Sequence, residues 1–211
     1  YAKKYLNIVS LIHQSTINPS TRLLASQPFV DLKSYSDSFI KRIYSFENEI
    51  LVNKELISSH LSRLKEFHLK LIASLEKKSL FSKLVFSHAD SGLHNCLTDV
   101  EDNIMLADLE HAGLDSPIKQ CLDYILHPKT QIYSCSFKPW FDYFTEERID
   151  KVDIPCMNIY AALFSLKWSL IMLNEYQPMS WKQRVISDTT RKKRRSEILK
   201  NQYNKSVMYY M

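Results

Sequence analysis

Glycine is nearly missing from this chain. Its 211 residues contain only Gly92 and Gly113, where ordinary usage would supply about 15. A Rossmann fingerprint needs three glycines within a few residues and a P-loop needs two, so these residues hold neither kind of glycine-rich phosphate loop. Cysteine is sparse as well. Cys96, Cys121, Cys135 and Cys156 lie far apart and form no C-x-x-C pair. That spacing argues against a zinc site or a secreted disulfide framework and for a reducing, cytoplasmic setting. No stretch reaches the roughly 18 uninterrupted apolar residues of a membrane span. The opening Tyr1-Ala2-Lys3-Lys4 has no apolar signal core with a cleavage site, which gives export no support. A first residue of Tyr rather than Met reads as a trimmed product or a fragment.

What is present is ordinary globular material, 45% hydrophobic and 24% charged. It suffices for one domain, or one large lobe with a small appendage. The net charge of +5 is uneven: from Lys182 onward nine basic residues face two acids, so this tail carries +7 and the rest −2. The run Arg191-Lys192-Lys193-Arg194-Arg195 has the charge to attract nucleic acid or an anionic membrane surface. No aromatic residue interleaves it, which disfavours nucleic acid. A solvated helix face is the reading we adopt.

Hydrophobic periodicity predicts a helix over residues 1–13, with Tyr5, Leu6, Val9, Ile12 and His13 on one side. A second helix carries Phe39, Ile40, Ile43 and Phe46, capped by Ser36 or Asp37, and a third runs from an Asn53 cap through Leu56, Ile57, Leu61, Leu64, Phe67, Leu71 and Leu75. At Lys83 the texture changes. Leu84-Val85-Phe86 reads as a strand, and residues 95–98 and 104–109 read as two more around an Asp99–Asn103 turn. The helical period returns after Pro117, over 118–126, then over 155–173, then in the basic tail, with breaks at Lys138-Pro139-Trp140 and Gln177-Pro178. The fold class is therefore mainly α with a small β insert, an α+β lobe. A single lobe over 1–211 divides into a helical part (1–82), the β insert with its following helix (83–124) and C-terminal helices (125–211).

Polar residues crowd the insert. His88 and Asp90 follow one predicted strand, Asn95 opens the next, and Asp108 lies near the end of the third. Ends of strands are where a rigid scaffold presents functional side chains. One carboxylate and one amide, Asp108 and Asn95, suit Mg²⁺, which takes few protein ligands and fills its shell with phosphate and water. A separate carboxylate, Asp90, can accept a proton from an attacking hydroxyl. Taken singly, each of these aspartates reads more readily as a turn or capping residue. A metal-dependent hydrolase built on His88, Asp90, His94 and Asp108 is a third way to read the same residues. His94 otherwise reads as a loop histidine. His13, His60, His68 and His127 show no ligand spacing and read as packing or surface residues. Trp140, Phe141, Tyr143 and Phe144 read as core.

The stretch Ser87-His88-Ala89-Asp90-Ser91-Gly92-Leu93-His94-Asn95 fits H-x-D-x-x-x-x-N. It is followed by Asp108-Leu109-Glu110 and then by Pro117 and Cys121-Leu122-Asp123-Tyr124. In that order the motifs resemble the aminoglycoside phosphotransferase and choline kinase family, relatives of the protein kinases; Leu6 to His13 more loosely resembles its first helix after the interlobe hinge. The resemblance implies the C-terminal lobe of a protein-kinase-like fold, with ATP and Mg²⁺ as cofactors and a small-molecule hydroxyl as acceptor: aminoglycoside-, choline- or sugar-like. By resemblance, Asp90 is the catalytic base, His88 organises its loop, and Asn95 and Asp108 hold Mg²⁺ and the nucleotide phosphates. Glu110 is a second acid near the metal or acceptor, and Asp123 supports the catalytic loop. Ala89 stands where the family has Gly or Arg, a mild change because this side chain is not a reacting group. Leu122-Asp123-Tyr124 departs from the usual Asp-Leu-Ala order. The family's small β lobe, with its phosphate loop and Lys–Glu pair, has no counterpart in these residues. The expectation is a fragment inactive alone, with an exposed interlobe surface that favours self-association; a catalytically inactive binding or scaffolding module is the alternative.

Overall fold

The structure, a computed structural model, describes residues 1–15, 23–75, 83–129 and 134–210, without the side chains of 134–136. Eight α-helices are described: α1 (Ala2–Gln14), α2 (Leu32–Glu49), α3 (Lys54–Leu75), α4 (Pro117–Leu126), α5 (Ser134–Glu147), α6 (Met157–Met172), α7 (Pro178–Ser187) and α8 (Arg195–Tyr210). Four three-residue strands lie between α3 and α4: β1 (Val85–Ser87), β2 (Cys96–Thr98), β3 (Ile104–Leu106) and β4 (Gly113–Asp115). The expected mainly helical architecture with a small β insert is what the chain adopts. It divides into two compact units, Tyr1–Tyr35 with Lys78–Ala161, and Ser36–Lys77 with Ala162–Met211.

The first unit is built on aromatic packing beneath the β insert. Tyr5 of α1, Tyr124 of α4 and Trp140 of α5 stack face to face, with Tyr124 and Trp140 centroids only 4.1 Å apart. Each such pair adds about 0.5–1.5 kcal/mol beyond the area it buries. The Trp140 indole N–H donates to the Cys121 carbonyl at 3.0 Å, so the buried ring leaves no donor stranded. His13 ties the same three helices by polar contacts. Its Nε2 faces Gln120 Oε1 at 2.8 Å and its Nδ1 faces the Tyr143 hydroxyl at 2.9 Å. Pro139, expected to break the chain, instead lies inside α5. Only one carbonyl, that of the residue four earlier, loses its intrahelical partner there, and the buried Trp140 and Phe144 anchor the helix just beyond it.

Two small antiparallel sheets form the insert. β1 pairs with β4, Val85 opposite Asp115 and Ser87 opposite Gly113, and β2 pairs with β3, Cys96 opposite Leu106. The pair β2–β3 and its Asp99 turn follow the sequence expectation, except that β3 stops at Leu106, short of the expected 109, because Asp108 turns into the left-handed region. The Asp99 carboxylate accepts the Glu101 and Asn103 amides at 2.9 and 2.8 Å. β4 has no alternating pattern, and sequence reasoning left it out. Beside it runs the segment 23–25, with the Leu114 amide donating to the Leu23 carbonyl and the Ala25 amide to the Leu114 carbonyl. That close approach explains Gly113. A Cβ there would stand 2.5 Å from backbone atoms of both Leu24 and Ala25, closer than any side chain tolerates. At the start of α4, the Lys119 ammonium lies buried between Asp115 (2.5 Å) and Asp123 (3.4 Å). Burial alone would lower its pKa, but the two carboxylates outweigh burial and raise it. Asp115 also accepts the Phe29 and Ser116 amides at 2.7 and 2.8 Å.

The second unit is a helical packing around Phe39, Ile43, Phe46, Ile57, Leu61, Leu64, Leu166, Leu170 and Leu173. The faces predicted for α2 and α3 are largely those buried, except that Leu56 is half exposed and His60 and His68 join the buried set. The expected cap at Ser36 or Asp37 is displaced: α2 begins at Leu32, and Asp31 accepts the Ser34 amide at 2.7 Å. Ser36 is then free of capping and bonds His68 Nε2 at 2.9 Å. The basic run is mostly engaged. Glu175, buried, takes Arg184 and Arg191, Arg194 pairs with Glu197, and Arg191 and Arg195 lie over the Trp181 ring. Among the described residues, one helical run, Ile154–Tyr176, is long and apolar enough to cross a membrane, and most of its apolar stretch is buried inside the protein. A core helix passes the same test.

His60 and His68 set an acid limit on this unit. Burial depresses both from 6.5 to about 4. Between those values the unfolded chain binds protons that the folded one refuses, so stability falls as pH drops from 6.5 towards 4 and rises with pH across that window. Urea midpoints at pH 7, 5.5 and 4.5 should decline in that order, and His68→Phe should flatten the decline. A midpoint constant over the window would show that these rings are not held neutral.

Candidate active site

The register of the first sheet explains why the polar residues of the insert converge. Because Ser87 at the end of β1 faces Gly113 at the start of β4, the loop after β1 and the turn before β4 leave the sheet at the same end. The first carries His88 and Asp90, and the second carries Asp108 and Glu110. His88 is buried and spans the two. Its Nε2 lies 2.6 Å from the Ala107 carbonyl and its Nδ1 lies 3.1 Å from the Asp90 carbonyl. Both ring nitrogens are therefore turned to backbone oxygen. That orientation suits an organising role and leaves neither nitrogen aimed at a metal.

Asn95 completes the enclosure of Asp90. Its Nδ2 donates to the Asp90 carbonyl and to Asp90 Oδ2, both at 3.0 Å. These two bonds fix the orientation of the amide and leave Oδ1 without a hydrogen-bond partner among the described residues. The Ala107 amide donates to the Asn95 carbonyl at 2.9 Å, extending the β2–β3 ladder by one pair. Asp108 is the next residue, exposed and in the left-handed region at φ 59 and ψ 50. Among the described residues its carboxylate has no hydrogen-bond or ion-pair partner. An unengaged amide oxygen and an unengaged carboxylate at one end of a hairpin are hard oxygen donors of the type that Mg²⁺ takes.

Two imidazoles flank Asp90 from the other side. His94 Nε2 lies 3.5 Å from Asp90 Oδ2, and His127 Nε2, at the end of α4, lies 3.6 Å from Oδ1. Burial by itself raises the Asp90 pKa, but the Asn95 hydrogen bond and the two rings together hold it below the usual carboxylate value. Asp90 is thus ionised at neutral pH. His127 is held at about 4, by burial first and by the neighbouring His94 second. Sequence reasoning had put His127 with packing or surface residues and His94 with loop residues. Their approach to Asp90 depends on where α4 ends, which no spacing in the sequence reveals. Glu110 lies on the surface beside His111, 3.4 Å away, and is not gathered around Asp90. Asp123 sits in the buried pair with Lys119.

Solved structures with a similar fold were found. A choline/ethanolamine kinase family protein from Mesorhizobium loti aligns at TM-score 0.54 and 13% identity, over 99% of this chain and 64% of its own. A choline kinase from Streptococcus pneumoniae aligns at 0.54 and 16%, over 99% and 63%. The AMP-bound complex of a spectinomycin phosphotransferase aligns at 0.56 and 14%, over 100% and 66%. The chain has their kinase-like fold. It spans about two-thirds of the length of these structures, in keeping with a partial kinase-like fold. No family model matches the sequence, and no curated protein matches it.

Within this kinase-like fold, the residue between His88 and Asp90 matters through its backbone. Ala89 has φ 64, in the left-handed region, where a Cβ costs roughly 1–2 kcal/mol. A Gly at this position would remove that strain, so Ala here is not neutral merely because its side chain takes no part in chemistry. Ala89→Gly should raise stability by about 0.5–1 kcal/mol, the relieved strain less the extra chain entropy of Gly. The urea midpoint measures it, and an unchanged or lowered midpoint would show that Ala89 is unstrained.

Proposed function

We propose that this chain carries the acceptor- and metal-binding part of an ATP-dependent phosphotransferase that phosphorylates a hydroxyl of a small molecule. The single observation that carries the reading is that the Asp90 carboxylate is held by Asn95 while His88 ties the Asp90 backbone to Ala107, beside Asp108 at the adjacent hairpin end. Asp90 is the group to orient an acceptor hydroxyl and accept its proton. Its low pKa makes it a weak proton sink, so its main contribution is to aim the oxygen lone pair, with the proton passing as the new bond forms. Asn95 Oδ1 and the Asp108 carboxylate would hold Mg²⁺ with the nucleotide phosphates. When bound, the ion supplies charge neutralisation on the transferring group. His88 acts through backbone, holding the two loops in register.

The structural neighbours point to acceptors worth trying: choline and ethanolamine from two of them and spectinomycin from the third. The motif leaves the acceptor open because fold does not set substrate. Transfer from ATP to these acceptors, assayed on the complete protein with and without its Asp90→Asn and Asp108→Ala changes, separates the roles. Asp90→Asn should lower turnover by about 10²–10⁴-fold with nucleotide affinity nearly intact, whereas Asp108→Ala should weaken Mg²⁺-dependent ATP binding in calorimetry. Near-wild-type turnover in Asp90→Asn would remove it as the base, and unchanged ATP·Mg affinity in Asp108→Ala would remove that residue from the metal site.

A further inference from the structure

His94 and His127 have no task in phosphoryl transfer as read above, yet they are placed as deliberately as any residue in the loop. Their rings lie face to face, 3.9 Å between centroids and 11° from parallel. Each directs Nε2 at a different oxygen of the Asp90 carboxylate, at 3.5 and 3.6 Å. Those separations exceed the 2.7–3.2 Å of a hydrogen bond. They leave room for an ion between the ring nitrogens and the carboxylate, since zinc stands about 2.0–2.2 Å from imidazole nitrogen and carboxylate oxygen. An imidazole lone pair lies in the plane of its ring, so the two parallel rings must swing out of their stack for both Nε2 atoms to reach one ion. Candidate ligand atoms of Asp90, His94 and His127 all fall within 4.8 Å of one another, and no other triple of His, Cys, Asp and Glu does so among the described residues.

We infer that Asp90, His94 and His127 form a binding site for one divalent transition metal of the zinc type, distinct in its ligands from Asn95 and Asp108. Two imidazoles and one carboxylate suit Zn²⁺, Co²⁺, Ni²⁺ or Cu²⁺ far better than Mg²⁺, which favours oxygen. His127 is buried, His94 is nearly so, and the half-exposed Asp90 leaves the fourth corner open to water. Ligation through Nε2 puts each ring proton on Nδ1. His94 Nδ1 is buried without a hydrogen-bond partner among the described residues and can carry that proton without breaking a bond. His127 Nδ1 now accepts the Lys129 amide at 3.1 Å, and this amide, on an exposed turn, must rotate to water. The site itself does not depend on the phosphotransferase reading. One consequence does rest on that reading: a metal here occupies the carboxylate assigned to the acceptor hydroxyl and so blocks transfer.

The test is binding, read without any activity. The chain is titrated with Co²⁺, whose four-coordinate complexes absorb strongly in the visible, and then back-titrated with Zn²⁺. One equivalent of a four-coordinate spectrum should appear, be displaced by Zn²⁺ and persist in a hundredfold excess of Mg²⁺. His94→Gln and His127→Gln, each checked for folding by circular dichroism, should weaken it at least about tenfold, whereas His111→Gln should not. A readout independent of variants is the side-chain nitrogen NMR of the unaltered chain, in which the Nε2 resonances of His94 and His127 should move together on Zn²⁺ addition. No saturable spectrum, a spectrum indifferent to both variants, or unmoved His94 and His127 resonances would overturn the site.

Discussion

His88 stands between two carbonyl oxygens that belong to different loops, Asp90 on one side and Ala107 on the other. A short sheet of two three-residue strands brings those loops to one edge, but strands that short hold little by themselves. The imidazole supplies the cross-link that fixes their register. With it in place, Asn95 can reach both the backbone and the side chain of Asp90, and Asp108 falls one residue past the Asn95–Ala107 pair. Remove the imidazole, and Asn95 alone is left to tie the Asp90 loop to the segment that carries Asp108.

Support for this edge comes from a buried charge cluster and an aromatic stack. Lys119, held between Asp115 and Asp123, joins the end of β4 to α4, and Asp115 gathers the Phe29 and Ser116 amides as well. Removing one partner of such a cluster leaves an uncompensated buried charge, at a cost of about 3–5 kcal/mol. Tyr5, Tyr124 and Trp140 then fix α4 against α1 and α5. The position of His127, and hence its approach to Asp90, follows from where α4 ends.

Much of this was legible from residue order alone. The helical periods of α1, α2 and α3, the Asp99 turn and the H-x-D-x-x-x-x-N stretch each rest on local chemistry, which a sequence displays directly. What escaped depended on contacts between distant segments. β4 is three residues without alternation and exists because residues 23–25 and β1 pair with it. Pro139 continues a helix because tertiary packing outweighs one lost hydrogen bond. The Ala89 strain lies in φ, invisible in a list of side chains. His94 and His127 stand 33 positions apart and meet only through the fold.

The central claim is that Asn95 and Asp108 form one metal-nucleotide site beside Asp90, held there by His88. Paramagnetic NMR with Mn²⁺·ATP tests it directly, since broadening marks nearby nuclei even when binding is weak. At low Mn²⁺·ATP, the resonances of Asn95 and Asp108 should broaden first and most, and His88→Ala should abolish their joint response while leaving the chain folded. Broadening centred elsewhere, or Asn95 and Asp108 responding equally well without His88, would contradict the account.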